Sequence, residues 1–313
     1  MTISGRKIRI GTRGSLLART QTEWVAAQLR VLHPGLQVEI EIIQTTGDLR
    51  RDVPFAQVGT KGMFVKEIEQ ALLDGTIDLG IHSLKDMPGE QPDGLKLACI
   101  PKREDPRDAL LTRDGSGFDA LPHGAIVGTS SIRRQAQLLA ARPDLKLVEL
   151  RGNLDTRLRK LDDGQYQAIV LACAGLNRLG LGHRISEALS PSLCVPAVGQ
   201  GALALEIRTG ETVLQELLMP LQHEDSAAEV EAERGFQSEL AGGCTIPAGA
   251  LATVNGDMIT LISVIAAPDG SESLRETMQD RRSNARQLGI DAARRLLDRG
   301  GREYILENIN QRT

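Results

Sequence analysis

The feature that most constrains this chain is an internal repeat. Ile10 to Ser15 (IGTRGS) is echoed by Val127 to Ser131 (VGTSS), and His33 to Glu41 (HPGLQVEIE) by Arg142 to Leu150 (RPDLKLVEL). Leu72 to Ile81 (LLDGTIDLGI) is echoed by Leu161 to Val170 (LDDGQYQAIV). Three echoes in one order predict two similar βαβαβ lobes. Each lobe reads as an apolar run ending in Gly and hydroxyl residues, a helix, a Pro-marked turn, a second strand, another helix stopped at Asp-Gly, and a buried third strand. Strands alternating with helices give an α/β fold with parallel sheets, which bind ligands at the carboxyl ends of their strands. A ligand between the lobes is then clamped from both sides.

The rest of the chain is organised around that repeat. Pro101 to Arg107 is proline-punctuated and charged, as an interlobe linker is, and a second crossing is expected near Val195 to Gly201. Ala202 to Ile207 reads as a strand and Thr212 to Leu218 as a helix, both returning to the first lobe so that two connections make the hinge. Beyond Gln222 the pattern changes to a helix over Ser226 to Leu240, a Gly242-Gly243-Cys244 turn, strands Ala248 to Val254 and Met258 to Ala266, and two terminal helices. The expected domains are lobe 1 (1–101 plus 202–219), lobe 2 (107–195) and a small α+β domain (222–313).

Charge points to a small anionic ligand. The net charge is −4, yet 29 of the 37 basic residues are Arg, so positive charge is concentrated on a mildly acidic body. Aromatics are 2%, too few for the stacking platforms of a nucleic-acid binder. Cys99, Cys173, Cys194 and Cys244 have no metal-ligand spacing, and no metal site is expected. Met1 to Arg9 lacks the apolar core of a signal peptide, and no run approaches the ~20 apolar residues of a membrane span. A cytoplasmic protein with reduced thiols is expected.

The residues placed for chemistry lie at strand ends. After the run Ala125 to Val127, Gly128-Thr129-Ser130-Ser131 leads into a helix at Ile132, offering backbone N–H groups and a helix N-terminus to an anion. Arg133 and Arg134 occupy its first turn, where the helix dipole disfavours cations unless an anion sits between them. The next strand delivers Arg151, and Arg157 and Arg159 follow on a helix that Asn153 can cap. Such clusters are commonly solvated helix faces; two strand ends bringing Arg to one sheet edge favour a carboxylate- or phosphate-gripping pocket instead. Arg178, beyond the strand Ala168 to Ala172, adds another guanidinium. In the other lobe, His82 to Pro88 directly follows the buried strand Ile77 to Ile81 and puts Lys85 and Asp86 at its carboxyl end. Asp86 suits stabilisation of a developing cation or proton relay, against the plainer reading of a turn before Pro88. His82 reads as a packed strand-end residue. Cys244, on a glycine turn, is an accessible nucleophile or attachment point, while the other cysteines lie among apolar neighbours.

These stretches resemble hydroxymethylbilane synthases, the porphobilinogen deaminase family, over nearly the full length. The matching segments are GTRGSLLARTQ, GTKGMFVKEIE, HSLKDMP, REDPRDAL, VGTSSIRRQAQL, LRGNLDTRLRKLDDG, AGLNRLGL, PAVGQGALALE and AERGFQSELAGGC. The resemblance implies two lobes like periplasmic binding proteins, joined by a hinge, with a third domain. It implies a transferase that joins four porphobilinogen molecules head to tail with loss of ammonia, using a dipyrromethane cofactor held through a thioether on Cys244. It also implies Asp86 as the catalytic carboxylate. Lys85, Asp86, Thr129, Ser131, Arg133, Arg134 and Arg157 match cofactor-holding residues. Arg13, Ser15, Arg151 and Arg178 match substrate-holding residues, and Phe64 with Thr46 to Thr60 matches a mobile cover. Leu16 departs from a common Pro, and Gly235 from a bulkier residue. A monomer acting on porphobilinogen, with no nucleic-acid or membrane partner, is the expected state. The alternative is a two-lobe binding protein for a polycarboxylate, which leaves Asp86 and Cys244 without a role.

Overall fold

The computed structural model describes residues 7–49, 64–240 and 246–310. In chain order these form β1 (Lys7–Arg13), α1 (Leu16–Leu32), β2 (Gln37–Ile43), the single turn α2 (Thr46–Leu49), α3 (Lys66–Leu73), β3 (Leu79–Ser83) and β4 (Leu95–Cys99). Next come β5 (Asp108–Thr112), β6 (Ile126–Gly128), α4 (Ile132–Ala141), β7 (Lys146–Val148), α5 (Leu154–Asp162), β8 (Ala168–Ala172), α6 (Cys173–Arg178) and the short β9 (Glu187–Ala188). The chain ends with β10 (Leu203–Arg208), α7 (Thr212–Leu218), α8 (Glu224–Ser238), β11 (Ala248–Asn255), β12 (Met258–Ala266), β13 (Ser273–Arg281), α9 (Ala285–Leu296) and α10 (Arg302–Asn310). Two compact units result, Met1–Arg103 with Ala202–Ala227, and Glu104–Gly201 with Ala228–Thr313.

The first unit holds a sheet of order β2-β1-β3-β10-β4. β1 runs parallel to β2 and β3, whereas β10 is antiparallel to both β3 and β4. One face is covered by α1 (Val25, Ala26, Leu29) and α7 (Leu214, Leu217, Leu218) against Ile8, Ile10, Leu79, Ile81, Leu203 and Leu205. Ile68 and Leu72 of α3 pack with Ile77 and Leu95 in a second cluster. The alternation of buried positions on the strands and the i, i+3, i+4 spacing on α1 produce these faces directly.

The second unit repeats the plan in a sheet of order β7-β6-β8-β5-β9. The parallel triplet β7-β6-β8 matches β2-β1-β3, which is the sequence repeat seen as structure. The expectation of parallel sheets therefore holds for three strands of each. The fourth, β10 or β5, is antiparallel, and in both units it is the first strand after the chain enters from the other unit. Gly11 and Gly128 hold equivalent places: a Cβ on the first would run into the side chains of Ile77 and Ile43, and on the second into Tyr166.

The same unit carries the antiparallel sheet β11-β12-β13, covered by α8 and α9 around Phe236, Ile259, Leu261, Leu288 and Leu296. Gly235 and Gly289 sit where backbone carbonyls of Arg286 and Ala232 leave no room for a Cβ, so α8 and α9 cross at backbone contact. That accounts for Gly235. β11 lies on the crossing segment: Ala250 N–H donates to the Pro196 carbonyl at 3.1 Å, and a Cβ on Gly249 would sit 2.6 Å from that oxygen. The sequence predicts no strand at β13, a half-buried edge strand whose residues are mostly polar (SLRETMQDR), so it lacks an apolar signal.

Candidate active site

In the first unit the parallel pairing of β1 with β3 puts their carboxyl ends on one sheet edge. Arg13 ends β1, and Lys85 and Asp86 lie in the 3-10 turn Leu84–Asp86 directly after β3. Leu84, 1% exposed, plugs this turn into the core; its N–H donates to the Ala202 carbonyl at 3.0 Å, and Met87 N–H closes the turn onto Leu84. A rigid turn thus presents a half-buried Asp86, whose side chain has no hydrogen bond or ion pair among the described residues. The Arg13 guanidinium lies 4.0 Å from the centroid of the Phe64 ring, a cation–π arrangement. Ser15 caps α1, its Oγ accepting from Ala18 N–H at 3.2 Å.

His82 is a buried strand residue, as read from sequence, with Nε2 3.1 Å from Oε2 of the fully buried Glu206. Glu69 of α3 is buried near this pair; burial, then the Glu206 charge, push its carboxyl above the usual range. Among the described residues, Oε1 of both Glu69 and Glu206 lacks a hydrogen-bond partner.

The second unit brings Thr129, Arg151 and Arg178 beyond the carboxyl ends of the parallel strands β6, β7 and β8. Thr129 is buried, and its Oγ1 accepts from Ser131 N–H at 3.2 Å. Ser131 stands at the N-cap of α4 but makes no side-chain cap bond, and neither does Asn153 at the N-cap of α5. The capping expected at these two positions is therefore positional only. Arg151 pairs with Glu149 at 2.5 Å, and Arg157 Nε donates to the Gly152 carbonyl at 2.8 Å.

Arg133 and Arg134 are 4% and 6% exposed, so they do not form a solvated face. The sequence predicts an external anion between them; the structure places the chain's own Asp108 there. Arg133 Nη1 and Nη2 donate to the two Asp108 oxygens at 2.7 and 3.2 Å, and Arg134 Nε donates to Oδ1 at 2.9 Å. Gln200 Nε2 and the Cys194 thiol add contacts at 2.9 and 3.3 Å. Burial works to raise the Asp108 carboxyl, but the two guanidiniums overcome it and hold it well below the usual range. Asp108 arrives at this edge because β5 runs antiparallel to β8, so the first residue of β5 lies beside the last of β8.

Arg178 closes the set. Its Nη2 donates to the Gly201 carbonyl at 2.7 Å, and burial draws it down to about 10, with nearby Glu104 opposing. Cys244 and most of the Thr46 to Thr60 segment lie outside the described residues. Sequence reasoning missed Asp108, Gln200, Glu206 and Glu233. Asp108 opens an apolar run (DALLT), and a charge before such a run reads as an ordinary strand boundary. Glu233, fully buried, receives Gly199 N–H at 2.7 Å and Ala252 N–H at 2.9 Å, bonds between segments far apart in sequence. Among the described residues no group of three potential metal ligands occurs, and no helix is long and apolar enough to cross a membrane.

Two family models match the chain: "Porphobilinogen deaminase, dipyromethane cofactor binding domain" over residues 8–216, and "Porphobilinogen deaminase, C-terminal domain" over 227–298. A porphobilinogen deaminase of Syntrophotalea carbinolica is 53% identical over 95% of this chain and 95% of its own. That of Syntrophobacter fumaroxidans is 48% identical over 98% and 99%. Among solved structures, a TRAP periplasmic solute binding protein of Desulfovibrio salexigens covers 71% of this chain and 74% of its own, at 13% identity and TM-score 0.43. An arginine-specific periplasmic binding protein of Salmonella typhimurium covers 71% and 94%, at 14% and 0.39.

Proposed function

The chain belongs to the porphobilinogen deaminase family, and from that premise we propose how its residues divide the work. The activity is that of a transferase, hydroxymethylbilane synthase: four porphobilinogen molecules are joined head to tail with loss of ammonia, for porphyrin and haem biosynthesis. The cofactor is dipyrromethane. Relatives match through the C-terminal domain and along almost their whole length, which disfavours a bare two-lobe binding protein.

The donor set fits a polycarboxylate cofactor. Arg133 and Arg134 share one carboxylate, Gln200 is neutral, and the Cys194 thiol is pushed up to about 12 by burial, so the network keeps an excess positive charge. An enclosed excess charge is costly without an anion. We assign cofactor carboxylates to Arg133, Arg134, Arg157 and Lys85, and to the Thr129 and Ser131 hydroxyls. When bound, dipyrromethane supplies the terminal pyrrole carbon that accepts the next unit. Arg13, Arg151, Arg178 and Ser15 orient the acetate and propionate of the incoming porphobilinogen. The observation that carries the catalytic assignment is Asp86, held on a rigid turn and engaged by no described residue. Its carboxylate is available to the positive charge on the pyrrole nitrogen as the aminomethyl group loses ammonia. Phe64, stacked on Arg13, belongs to the cover over the substrate.

Cys244 is the attachment point, through a thioether. The other thiols support this by default: Cys99, Cys173 and Cys194 are buried, and burial pushes each up to about 12, far from a thiolate at neutral pH. Unpaired buried thiols also suit a cytoplasmic protein, and we assign a monomer. The test is the intact mass of the purified chain beside Cys244→Ser. An excess of two pyrrole units, absent from the variant, is expected; the same excess in both would overturn the attachment site.

A further inference from the structure

The chain passes between its units at Arg103/Glu104 and at Gly201/Ala202, and the end of α6 grips both places from within the second unit. Arg178 Nη2 donates to the Gly201 carbonyl at 2.7 Å, and Glu104 N–H donates to the same oxygen at 3.2 Å. Gly201 has φ +88°, and a Cβ there would strike the Glu104 carbonyl, so the two crossings lie in backbone contact. The Arg178 guanidinium and the Glu104 backbone nitrogen share one acceptor. That puts the guanidinium within reach of the Glu104 side chain, yet the two make no ion pair among the described residues. Instead Asn177 Nδ2 donates to Glu104 Oε1 at 2.9 Å, and Asp105 N–H donates to that oxygen at 3.0 Å. The amide is itself seated: Gly182 leaves space where a Cβ would come within 2.9 Å of Asn177 Oδ1.

We propose that Asn177 is a positioning residue that holds the Glu104 carboxylate away from Arg178, keeping that guanidinium open to a carboxylate of the incoming pyrrole. The proposal rests on the reading of Arg178 as a substrate-holding residue. Two neighbouring residues on one short helix then have complementary tasks, one gripping the ligand acid and the other restraining the internal acid that competes for it. A half-buried guanidinium bonded to a carbonyl keeps its full charge, and an internal carboxylate placed on it would cancel the attraction for a ligand.

The test uses the cofactor-loaded full chain with Asn177→Ala, Glu104→Gln and the double variant. Asn177 is exposed, so truncation leaves the core intact. Asn177→Ala is expected to raise KM for porphobilinogen about tenfold with kcat within about twofold, the size of one charge-assisted hydrogen bond lost to a competitor. Equilibrium affinity in an Asp86→Asn background is expected to fall by the same factor. Glu104→Gln keeps an acceptor for Asn177 and removes the competing charge, so the double variant is expected to return to near wild-type KM. A purely structural role of Asn177 would not be relieved in that way; an unrelieved double variant, or an unaffected Asn177→Ala, would overturn the proposal. Arg178→Gln separates it from its premise. Unchanged affinity there would refute the substrate-holding reading itself, whatever Asn177 does.

Discussion

Asp108→Asn isolates the buried ion network. The substitution keeps volume and shape, so no cavity opens, and its cost is electrostatic. Two guanidiniums, 4% and 6% exposed, lose their shared counter-charge, and the new amide nitrogen faces donors from Arg133, Arg134 or Cys194. Breaking a buried pair by removing one partner costs about 3–5 kcal/mol, and here neither cation has water to fall back on. In a unit of this size 1 kcal/mol moves the midpoint by about 2–4 °C, so a fall of about 6–20 °C is expected. The assay is calorimetric unfolding of the full chain, following the transition that contains the second unit, since two units need not melt together. Acid gives a second handle. The folded-state carboxyl is depressed, so its contribution is complete above the unfolded value of about 3.9 and is lost as pH falls below it. The wild-type advantage should hold at pH 5 and above and shrink below about pH 4. A midpoint within about 3 °C of wild type at pH 7 would refute the reasoning, because the guanidiniums would then have found other compensation.

Other expectations are direct. Asp86→Asn should fold with an unchanged melting midpoint yet nearly abolish porphobilinogen turnover, since an amide cannot offset a cationic pyrrole; substantial residual turnover would remove Asp86 from that role. Glu69→Gln should match or exceed wild-type stability at pH 8. Its carboxyl is raised, so folding is favoured below the unfolded value and penalised as pH rises through the folded one; the gap between variant and wild type should close toward pH 4, and a variant less stable at pH 8 would refute this.

Much of the fold was legible because its signals are local. The repeat predicts two alike sheets, and α7, β8 and β12 have the bounds the sequence predicts. What escaped depends on partners distant in the chain. β13 is amphipathic only in relation to β12, and the antiparallel β5 and β10 are set by where the chain enters each unit rather than by any residue in them. The strand ends bearing Arg13, Asp86, Thr129, Arg151 and Arg178 were found because polar residues terminating apolar runs are visible in one dimension.

The arginines show where such reading stops. Sequence counts guanidiniums correctly but cannot say which already have a counter-ion. Asp108 is 25 residues from Arg133 and 26 from Arg134, and in sequence it reads as an ordinary strand boundary. Once it is seated between them, their charge is no longer simply an excess; it is two cations against one anion, enclosed by Gln200, Cys194 and the crossing segment. Arg178 poses the same question with a different answer, since its nearest acid is held elsewhere by Asn177. A site for a polycarboxylate therefore needs control over internal acids as well as many arginines. One carboxylate is committed to a buried pair, and another is restrained beside a guanidinium that has to stay available.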